Sequence, residues 1–360
     1  MSRKLKVLHI APQNFAGMPM EFVKMQRSEG HTANLITIYE NTINFEEDIA
    51  LGFRLPKGAL ARKWRRKKLE ISTKKKGFRY FTPTNFAENI YFKARDLVQT
   101  HKIYKAIKEY KLLEYDIYHY DGGMDFFRDC RFAKELVKRG KKIVICYFGS
   151  DLRTRGAFEY LESVSNLNLT VEFDHLDIHK NIYYLFFPFD VYRYRLKNEF
   201  NKVLKIVHSP TNRLFKGTDK ILKVIENLKE KAEFEFILLE NISHEKAIEI
   251  KSGCDIAIDQ VGGEFGGSGY GRNSLENISM GIPTITEFSP EYLEFLPENP
   301  FIHSTIEELE QKLLELIRKP EKLKELSSKG RHWAEKYHSY RSVNKRLEEL
   351  YIKAGITDEE

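Results

Sequence analysis

The chain has 360 residues, of which 42% are hydrophobic and 31% charged, and its formal net charge is +7. This length suits two α/β domains better than one, because a domain typically has about 100–200 residues. The apolar content excludes a largely disordered chain. No run of about 18–20 apolar residues is present, so the sequence predicts no membrane-spanning helix. The three cysteines are scattered without metal-ligand spacing, which favours a cytoplasmic location.

The first half of the chain alternates between strand and helix patterns. The apolar run at 6–10 predicts a buried strand, and 18–29 has helical spacing. The remaining predicted strands are 33–38, 116–120 and 142–148, with 183–189 as the last, and the remaining predicted helices are 87–110 and 126–139. Helices that end at glycines between such strands are typical of a parallel, doubly wound sheet.

The second half repeats this plan. The predicted strands are 203–208, 234–240, 254–261 and 283–288, and the predicted helices are 218–231, 244–251, 272–280 and 306–318, with further helices in 320–354. We therefore expect an N-terminal Rossmann-like domain at 1–195, a second at 196–330, and C-terminal helices at 331–360. In such sheets ligands bind beyond the carboxyl ends of the strands, so the loops after strands are the candidate sites.

The positive charge is concentrated in one segment, 54–79, which begins with Arg54 and ends with Arg79. It holds twelve Lys or Arg against one acid, so it carries +11 and the remainder of the chain carries −4. Aromatic residues lie among these cations. The composition suits an anionic membrane surface. A solvated insertion is the main alternative, and nucleic acid is less favoured.

The stretch 208–217 follows a predicted strand and opens a helix. It contains Arg213 and Lys216, three residues apart. A guanidinium can hold phosphate oxygens through two hydrogen bonds, and an ammonium adds a mobile point charge. Together they can neutralise a bound diphosphate and the charge that develops when it leaves. The alternative is a solvated loop that only caps a helix.

A glycine-rich stretch, 262–276, also runs from a strand end into a helix. Six glycines occur in its first ten residues, which lets the backbone approach a ligand and turn its amides toward an anion. Glu276 lies about one turn into the following helix. A carboxylate there can accept hydrogen bonds from ribose hydroxyls. The alternative is a flexible loop without a ligand.

Taken together, 208–217 and 269–285 resemble the large family of retaining GT-B glycosyltransferases that includes bacterial mannosyl- and glucosyltransferases. The segment 236–245 looks like the strand and loop that face the donor nucleoside, while 14–19 and 147–153 look like the N-terminal counterparts. The resemblance covers most of the chain, weakly from about residue 40 to 115. It implies an α/β GT-B fold, with two Rossmann-like domains facing across a cleft and helices 331–360 packing back on the N-terminal domain.

The resemblance also implies a role for each matched residue. Arg213 and Lys216 become the catalytic ligands of the donor diphosphate, and Glu276 the ribose-binding acid. The implied donor-binding residues are Gly17, Glu240, Ser268, Gly269, Tyr270, Gly271 and Glu276. The acceptor-side candidates are Phe148, Asp151 and Arg153. Transfer on the same face that the diphosphate leaves needs no protein nucleophile, and we expect no metal or other cofactor.

The chain departs from the family pattern at two positions. The family commonly has a second acid eight residues before the one at Glu276, and this chain has Ser268 there. Many relatives have a histidine where this chain has Phe148. Because of the first departure, the sequence does not identify the sugar that is transferred. Asp151 and Arg153 in the same loop are either acceptor contacts or a structural ion pair.

The sequence thus predicts a retaining, metal-independent glycosyltransferase that uses a nucleotide-sugar donor. The resemblance favours a lipid-linked or cell-surface glycan as acceptor, in polysaccharide biosynthesis. We expect a cytoplasmic protein, peripheral at the inner face of the membrane through Arg54 to Arg79. The rival functions are a nucleotide-sugar epimerase on the same fold and a catalytically silent protein that binds nucleotide sugars or acts as a scaffold.

Overall fold

The computed structural model describes residues 4–41, 45–55, 58, 63, 77–149, 151–197, 199–263 and 269–358. Most of the basic segment 54–79 therefore lies outside the described residues. Internal contacts divide the chain into a first unit, Met1–Pro188 with Val343–Glu360, and a second unit, Phe189–Ser342. This division assigns the last part of 331–360 to the first unit.

The first unit is built on a parallel sheet. Its strands are β1 (Lys6–Ala11), β2 (Thr32–Tyr39), β3 (Ile49–Phe53), β4 (Ile117–Asp121), β5 (Lys142–Tyr147), β6 (Leu167–Thr170) and β7 (Tyr183–Tyr184). Its helices include α1 (Met18–Ser28), α2 (Phe86–Glu109), α3 (Arg131–Lys138), α4 (Glu159–Val164) and α5 (His175–Ile178). The strand order is β3-β2-β1-β4-β5-β6-β7. Because β1 lies between β2 and β4, its residues are buried on both faces, which explains its continuous apolar run.

The second unit has a smaller parallel sheet. Its strands are β8 (Lys205–His208), β9 (Glu235–Leu238), β10 (Ile256–Ile258), β11 (Thr284–Thr286) and β12 (Ile302–His303). Its helices include α6 (Arg213–Lys216), α7 (Thr218–Lys229), α8 (His244–Ser252), α9 (Arg272–Ser279), α10 (Pro290–Phe295), α11 (Leu309–Arg318) and α12 (Glu321–His338), and α13 (Tyr340–Lys353) follows. The order β12-β11-β10-β8-β9 reverses direction between β8 and β10. A ligand crevice is expected at the carboxyl ends of these two strands.

The predicted alternation of strands and helices is confirmed, with some differences. The helix predicted at 126–139 begins only at Arg131, because Asp125 accepts hydrogen bonds from the backbone N–H groups of Phe127 and Ala133 and holds the preceding residues in a turn. The strand predicted at 183–189 is limited to Tyr183–Tyr184. Strands β3, β6 and β12 and the short helices α4, α5 and α10 were not predicted. In the described part of the chain, no helix is both long and apolar enough to cross a membrane.

Candidate functional site

The one-turn helix α6 connects the ends of three strands of the second unit. Arg213, at its start, donates from Nη1 to Glu240 Oε2 at 2.7 Å, just beyond β9. Lys216, at its end, donates from Nζ to Asp259 Oδ1 at 2.6 Å, directly after β10. Helix α6 itself follows β8. The two cations singled out in the sequence therefore lie at the reversal of strand order, where ligands bind in such sheets.

Local sequence explains why α6 is short. The Asn212 side chain accepts hydrogen bonds from the N–H groups of Leu214 and Phe215 and so caps the first turn. Gly217 ends the helix in the left-handed region, with φ of 68°. A Cβ atom at Gly217 would lie 1.9 Å from the carbonyl oxygen of Val261. Glycine is therefore required where the loops after β8 and β10 meet.

Asp259 holds Lys216 in place. Its side chain is 1% exposed and also accepts hydrogen bonds from Asn273 Nδ2 at 2.9 Å and Ser274 Oγ at 2.5 Å. Burial acts to raise the pKa of Asp259. The Lys216 ammonium and these hydrogen bonds outweigh burial and hold the pKa at about 2. Asp259 is therefore ionised at neutral pH and fixes the direction of the Lys216 side chain.

Glu276 lies one turn into α9 and is buried in the structure. Lys251 Nζ donates to its Oε2 at 2.8 Å, and His244 Nε2 lies 2.7 Å from its Oε1. Burial acts to raise the pKa of Glu276, but the hydrogen bond from His244 and the charge of Lys251 hold it at about 2. A carboxylate oxygen can accept more than one hydrogen bond. His244 is half exposed, and Arg272 Nε also lies 3.4 Å from Glu276 Oε1, so this oxygen has two protein donors.

Asn273 joins the two carboxylates into one network. Its Oδ1 accepts from Ser209 Oγ at 2.9 Å and from Lys251 Nζ at 2.9 Å, while its Nδ2 donates to Asp259. We call the connected set the strand-end network, which consists of Lys216, Asp259, Asn273, Lys251 and Glu276. It ties the loop after β8, the end of β10, and helices α8 and α9 into one polar arrangement.

The backbone around Gly269–Gly271, predicted to turn its amides toward an anion, is only partly open to a ligand. The Gly269 N–H already donates to Glu287 O at 2.8 Å, and a Cβ at Gly269 would lie 2.2 Å from the Tyr292 ring. Gly271 precedes α9, and a Cβ there would have no atom within 4 Å. Ser268 lies outside the described residues. Of the glycines in this stretch, Gly271 therefore has open space beside its backbone, where a ligand can approach.

Tyr270 is placed differently from Gly271. Its hydroxyl lies 2.9 Å from His338 Nε2. Its ring belongs to an aromatic cluster with Phe288, Tyr292, Phe301 and Trp333. The side chain therefore packs within the second unit and positions the backbone before α9.

In the first unit, Asp151 begins a single π-helical turn, Asp151–Arg155. Its Oδ2 accepts from the Phe148 N–H at 3.0 Å, and Arg155 Nη1 lies 3.5 Å from its Oδ1. Burial raises the pKa of Asp151 to about 6, although Arg155 acts to lower it. A Cβ at Gly122, just after β4, would lie 3.1 Å from this carboxylate. Phe148 and Asp151 are thus at the carboxyl edge of this sheet.

Arg153 forms a separate ion-pair cluster. Its guanidinium pairs with Glu172 at 2.5 Å and also with Asp174. Glu172 and Asp174, and not Asp151, are therefore the carboxylates that neutralise the Arg153 guanidinium. Gly17 lies in the loop after β1 and precedes α1 with φ of 72°.

The first unit also holds a buried polar cluster. His9 Nδ1 lies 2.8 Å from Asp121 Oδ2, and His9 Nε2 lies 2.9 Å from Gln26 Oε1. His119 Nε2 contacts the hydroxyl of Tyr351. Candidate ligand atoms of His9, His119 and Asp121 lie within 4.8 Å of one another, as in no other such group among the described residues. Both nitrogens of His9 have protein partners and link β1, β4 and α1, whereas the buried His119 Nδ1 and Asp121 Oδ1 have no hydrogen-bond partner in the part of the chain that the structure describes.

Comparison with known proteins identifies the fold. No protein-family model matches the chain, and no curated protein is similar to it in sequence. Solved structures do match: a glycosyltransferase from Rickettsia africae has a TM-score of 0.59 at 14% identity, covering 98% of this chain and 99% of that one. HepE from Anabaena, solved in complex with UDP, has a TM-score of 0.57 at 11% identity, covering 97% and 100%.

The chain has a GT-B fold. A protein from Listeria monocytogenes assigned as a UDP-N-acetylglucosamine 2-epimerase also matches, with a TM-score of 0.52 at 12% identity, covering 99% of this chain and 98% of that one. The predicted fold class is confirmed. Identities this low show the fold alone, so the activity has to be argued from the side chains.

Three residues of the strand-end network were not predicted from the sequence. Asp259 carries a signal, because it directly follows the buried run of β10, where a polar residue lies at the carboxyl edge of a sheet. Asn273 follows Gly271 and Arg272 at the start of α9, which is a weaker signal. The sequence gives no signal for Lys251. A lysine on a helix is normally exposed, whereas this one is buried against Glu276.

Proposed function

We propose that this protein is a glycosyltransferase that binds a nucleotide-sugar donor in its second unit. The observation that carries the proposal is the strand-end network, which brings Lys216 and Glu276 to one side of the reversal between β8 and β10. A diphosphate needs fixed positive charge, and a ribose needs a fixed hydrogen-bond acceptor. The network supplies Lys216 as the positive charge and Glu276 as the acceptor, each held by hydrogen bonds to its neighbours.

Lys216 acts on the diphosphate. Asp259 takes up one of its three N–H donors and sets its direction, which leaves donors for phosphate oxygens. Arg213 lies one turn earlier and can add a second cation after releasing Glu240 and Asp219, its two carboxylate partners. As the bond from the anomeric carbon to the phosphate oxygen breaks, these two cations stabilise the negative charge on the leaving diphosphate.

Glu276 orients the nucleoside by accepting hydrogen bonds from ribose hydroxyls, with Gly271 allowing the backbone to approach. UDP is bound by HepE, so uridine diphosphate sugars are the first donors to test. Because Arg213 and Lys216 neutralise the diphosphate, we propose that the reaction needs no metal ion.

On the acceptor side, we propose retention of the anomeric configuration. A hydroxyl of a lipid-linked or cell-surface glycan attacks from the face that the diphosphate leaves, and its proton passes to the departing phosphate oxygen. Phe148 and Asp151, at the carboxyl edge of the first sheet, are the candidate acceptor contacts. We propose that the reaction belongs to polysaccharide biosynthesis and takes place at the cytoplasmic face of the membrane.

An epimerase is the second candidate, favoured by the fold of the Listeria protein. The deciding experiment incubates the protein with UDP-sugars, with and without a lipid-linked glycan extract, and analyses sugar and nucleotide by mass spectrometry and NMR. A glycosyltransferase releases UDP and adds sugar to the extract with its anomeric configuration unchanged. An altered sugar without any acceptor product would establish the epimerase instead, and unchanged substrate with every donor would favour a silent binding protein.

A further inference from the structure

Helix α2 exposes large apolar side chains to solvent. Leu97 and Val98 are 77% and 81% exposed, Phe86 is 78% exposed, and Ile90 and Tyr104 are each 52% exposed. We call these five residues the outer face of α2. A solvent-facing side of a helix normally carries charged and polar residues, so five large apolar side chains on one helix are unusual.

The exposed residues lie on one side of the helix. With about 3.6 residues per turn, Phe86, Ile90, Leu97 and Tyr104 fall in one narrow stripe, and Val98 lies beside it. The opposite side is formed by the buried Phe92, Gln99, Ile103, Ala106 and Ile107. Helix α2 therefore has one apolar side that packs in the first unit and a second apolar side that nothing in the described structure covers.

The charges around the outer face are mostly positive. Lys93, Lys105 and Lys108 are exposed on the same side of α2, and Glu109, at the end of the helix, is the one exposed acid of α2. The acids Glu88 and Asp96 are buried and hydrogen-bonded. The +11 segment 54–79 precedes α2 closely in sequence.

We propose that the outer face of α2 docks on an anionic lipid bilayer. An amphipathic helix that combines apolar residues with lysines lies in the headgroup region, with its apolar side chains inserted and its cations beside lipid phosphates. The charge pattern disfavours pairing with a second copy, because two basic faces would repel each other. The proposal uses no residue of the strand-end network, so it does not depend on the assigned activity.

The test is co-sedimentation with vesicles of phosphatidylcholine mixed with phosphatidylglycerol, compared with pure phosphatidylcholine. Leu97→Gln with Val98→Gln removes apolar area without changing charge and should lower the partition coefficient about tenfold or more. The matched control is Val137→Gln with Val203→Gln, which are exposed valines outside α2. The control should bind as the wild type does.

A second pair of variants separates charge from insertion. Neutralising Lys93, Lys105 and Lys108 to Gln should weaken binding most at low salt, because the Debye length falls from about 10 Å at 0.1 M to about 3 Å at 1 M. The control neutralises three exposed lysines of the second unit, Lys223, Lys229 and Lys324. Circular dichroism melts check that all variants fold.

Three results would overturn the proposal. The first is that wild type fails to sediment with anionic vesicles at low salt. The second is that the Leu97 and Val98 double variant binds as tightly as wild type, which would assign the binding to other segments. The third is that light scattering finds an oligomer that this double variant dissociates, which would make the outer face a contact between protein chains.

Discussion

Lys216 donates a hydrogen bond across 2.6 Å to Asp259, a buried carboxylate at the end of β10. A cation that the sequence places in a loop is thus fixed by an anion 43 residues further along the chain. This pairing changes what is expected of Lys216 variants. Removing the ammonium leaves a buried carboxylate without its cation, so stability and chemistry are both affected.

Lys216→Ala should lower turnover by about 10²–10³-fold, by analogy with the loss of one donor to a developing oxyanion. It should also lower the free energy of unfolding by about 1–3 kcal/mol, because Asp259 keeps only its neutral donors. Sugar-transfer rates and urea unfolding measure the two effects. Lys223→Ala, an exposed lysine on α7, is the control and should change neither. Near-normal turnover of Lys216→Ala would move the donor site elsewhere.

Asp259→Asn should weaken donor binding almost as much as Lys216→Ala does, because it releases the lysine that Asp259 orients. The two changes should be strongly non-additive in a double-mutant cycle, since they break one interaction. Asp255→Asn is the matched control: Asp255 also pairs with a lysine, Lys197, at 2.7 Å, but precedes β10 instead of following it. The control should lower stability and leave donor affinity unchanged. Additive effects of the Asp259 and Lys216 variants would show that the pair does not act as a unit.

Gly217→Ala should destabilise the second unit by about 2 kcal/mol or more, because its Cβ would overlap the carbonyl of Val261. Gly140→Ala is the control for backbone strain alone. Gly140 has a similar φ of 66°, but a Cβ there would meet no atom within 4 Å. Denaturant unfolding measures the loss of unfolding free energy in both variants. The larger loss in Gly217→Ala gives the part that is due to the close approach of the two loops. Equal losses would mean that the loops separate without cost.

The strand-end network should also make the protein sensitive to acid. The folded-state pKa values of Asp259 and Glu276 are both about 2, below their unfolded values of about 3.9 and 4.3. Each group therefore stabilises the fold above pH 4 and loses this contribution as the pH falls toward 2, about 3 kcal/mol per group. Unfolding free energies of wild type and Asp259→Asn across this range measure the effect. The variant should show a shallower decline, whereas parallel declines would contradict the network.

The sequence predicted the class of fold and the loop that carries the two cations, because strand–helix alternation and local residue types are visible along the chain. It could not predict that Lys216 pairs with Asp259 or that Lys251 is buried against Glu276, since both contacts depend on which strands are neighbours. Tyr270 illustrates the same limit. Its ring packs on Phe301 and Trp333, which are distant in sequence, and nothing local distinguishes it from a ligand contact.

The central claim is that Lys216 belongs to a nucleotide-sugar site that needs no metal. Thermal unfolding of wild type and Lys216→Ala with UDP-, GDP-, ADP- and CMP-sugars, all in EDTA, tests it most directly. At about 100 times its dissociation constant, a donor should stabilise wild type by about 2.7 kcal/mol. We predict that at least one donor does so, and that Lys216→Ala loses most of this shift. If no donor stabilises wild type in EDTA, or if both proteins shift equally, the claim is contradicted.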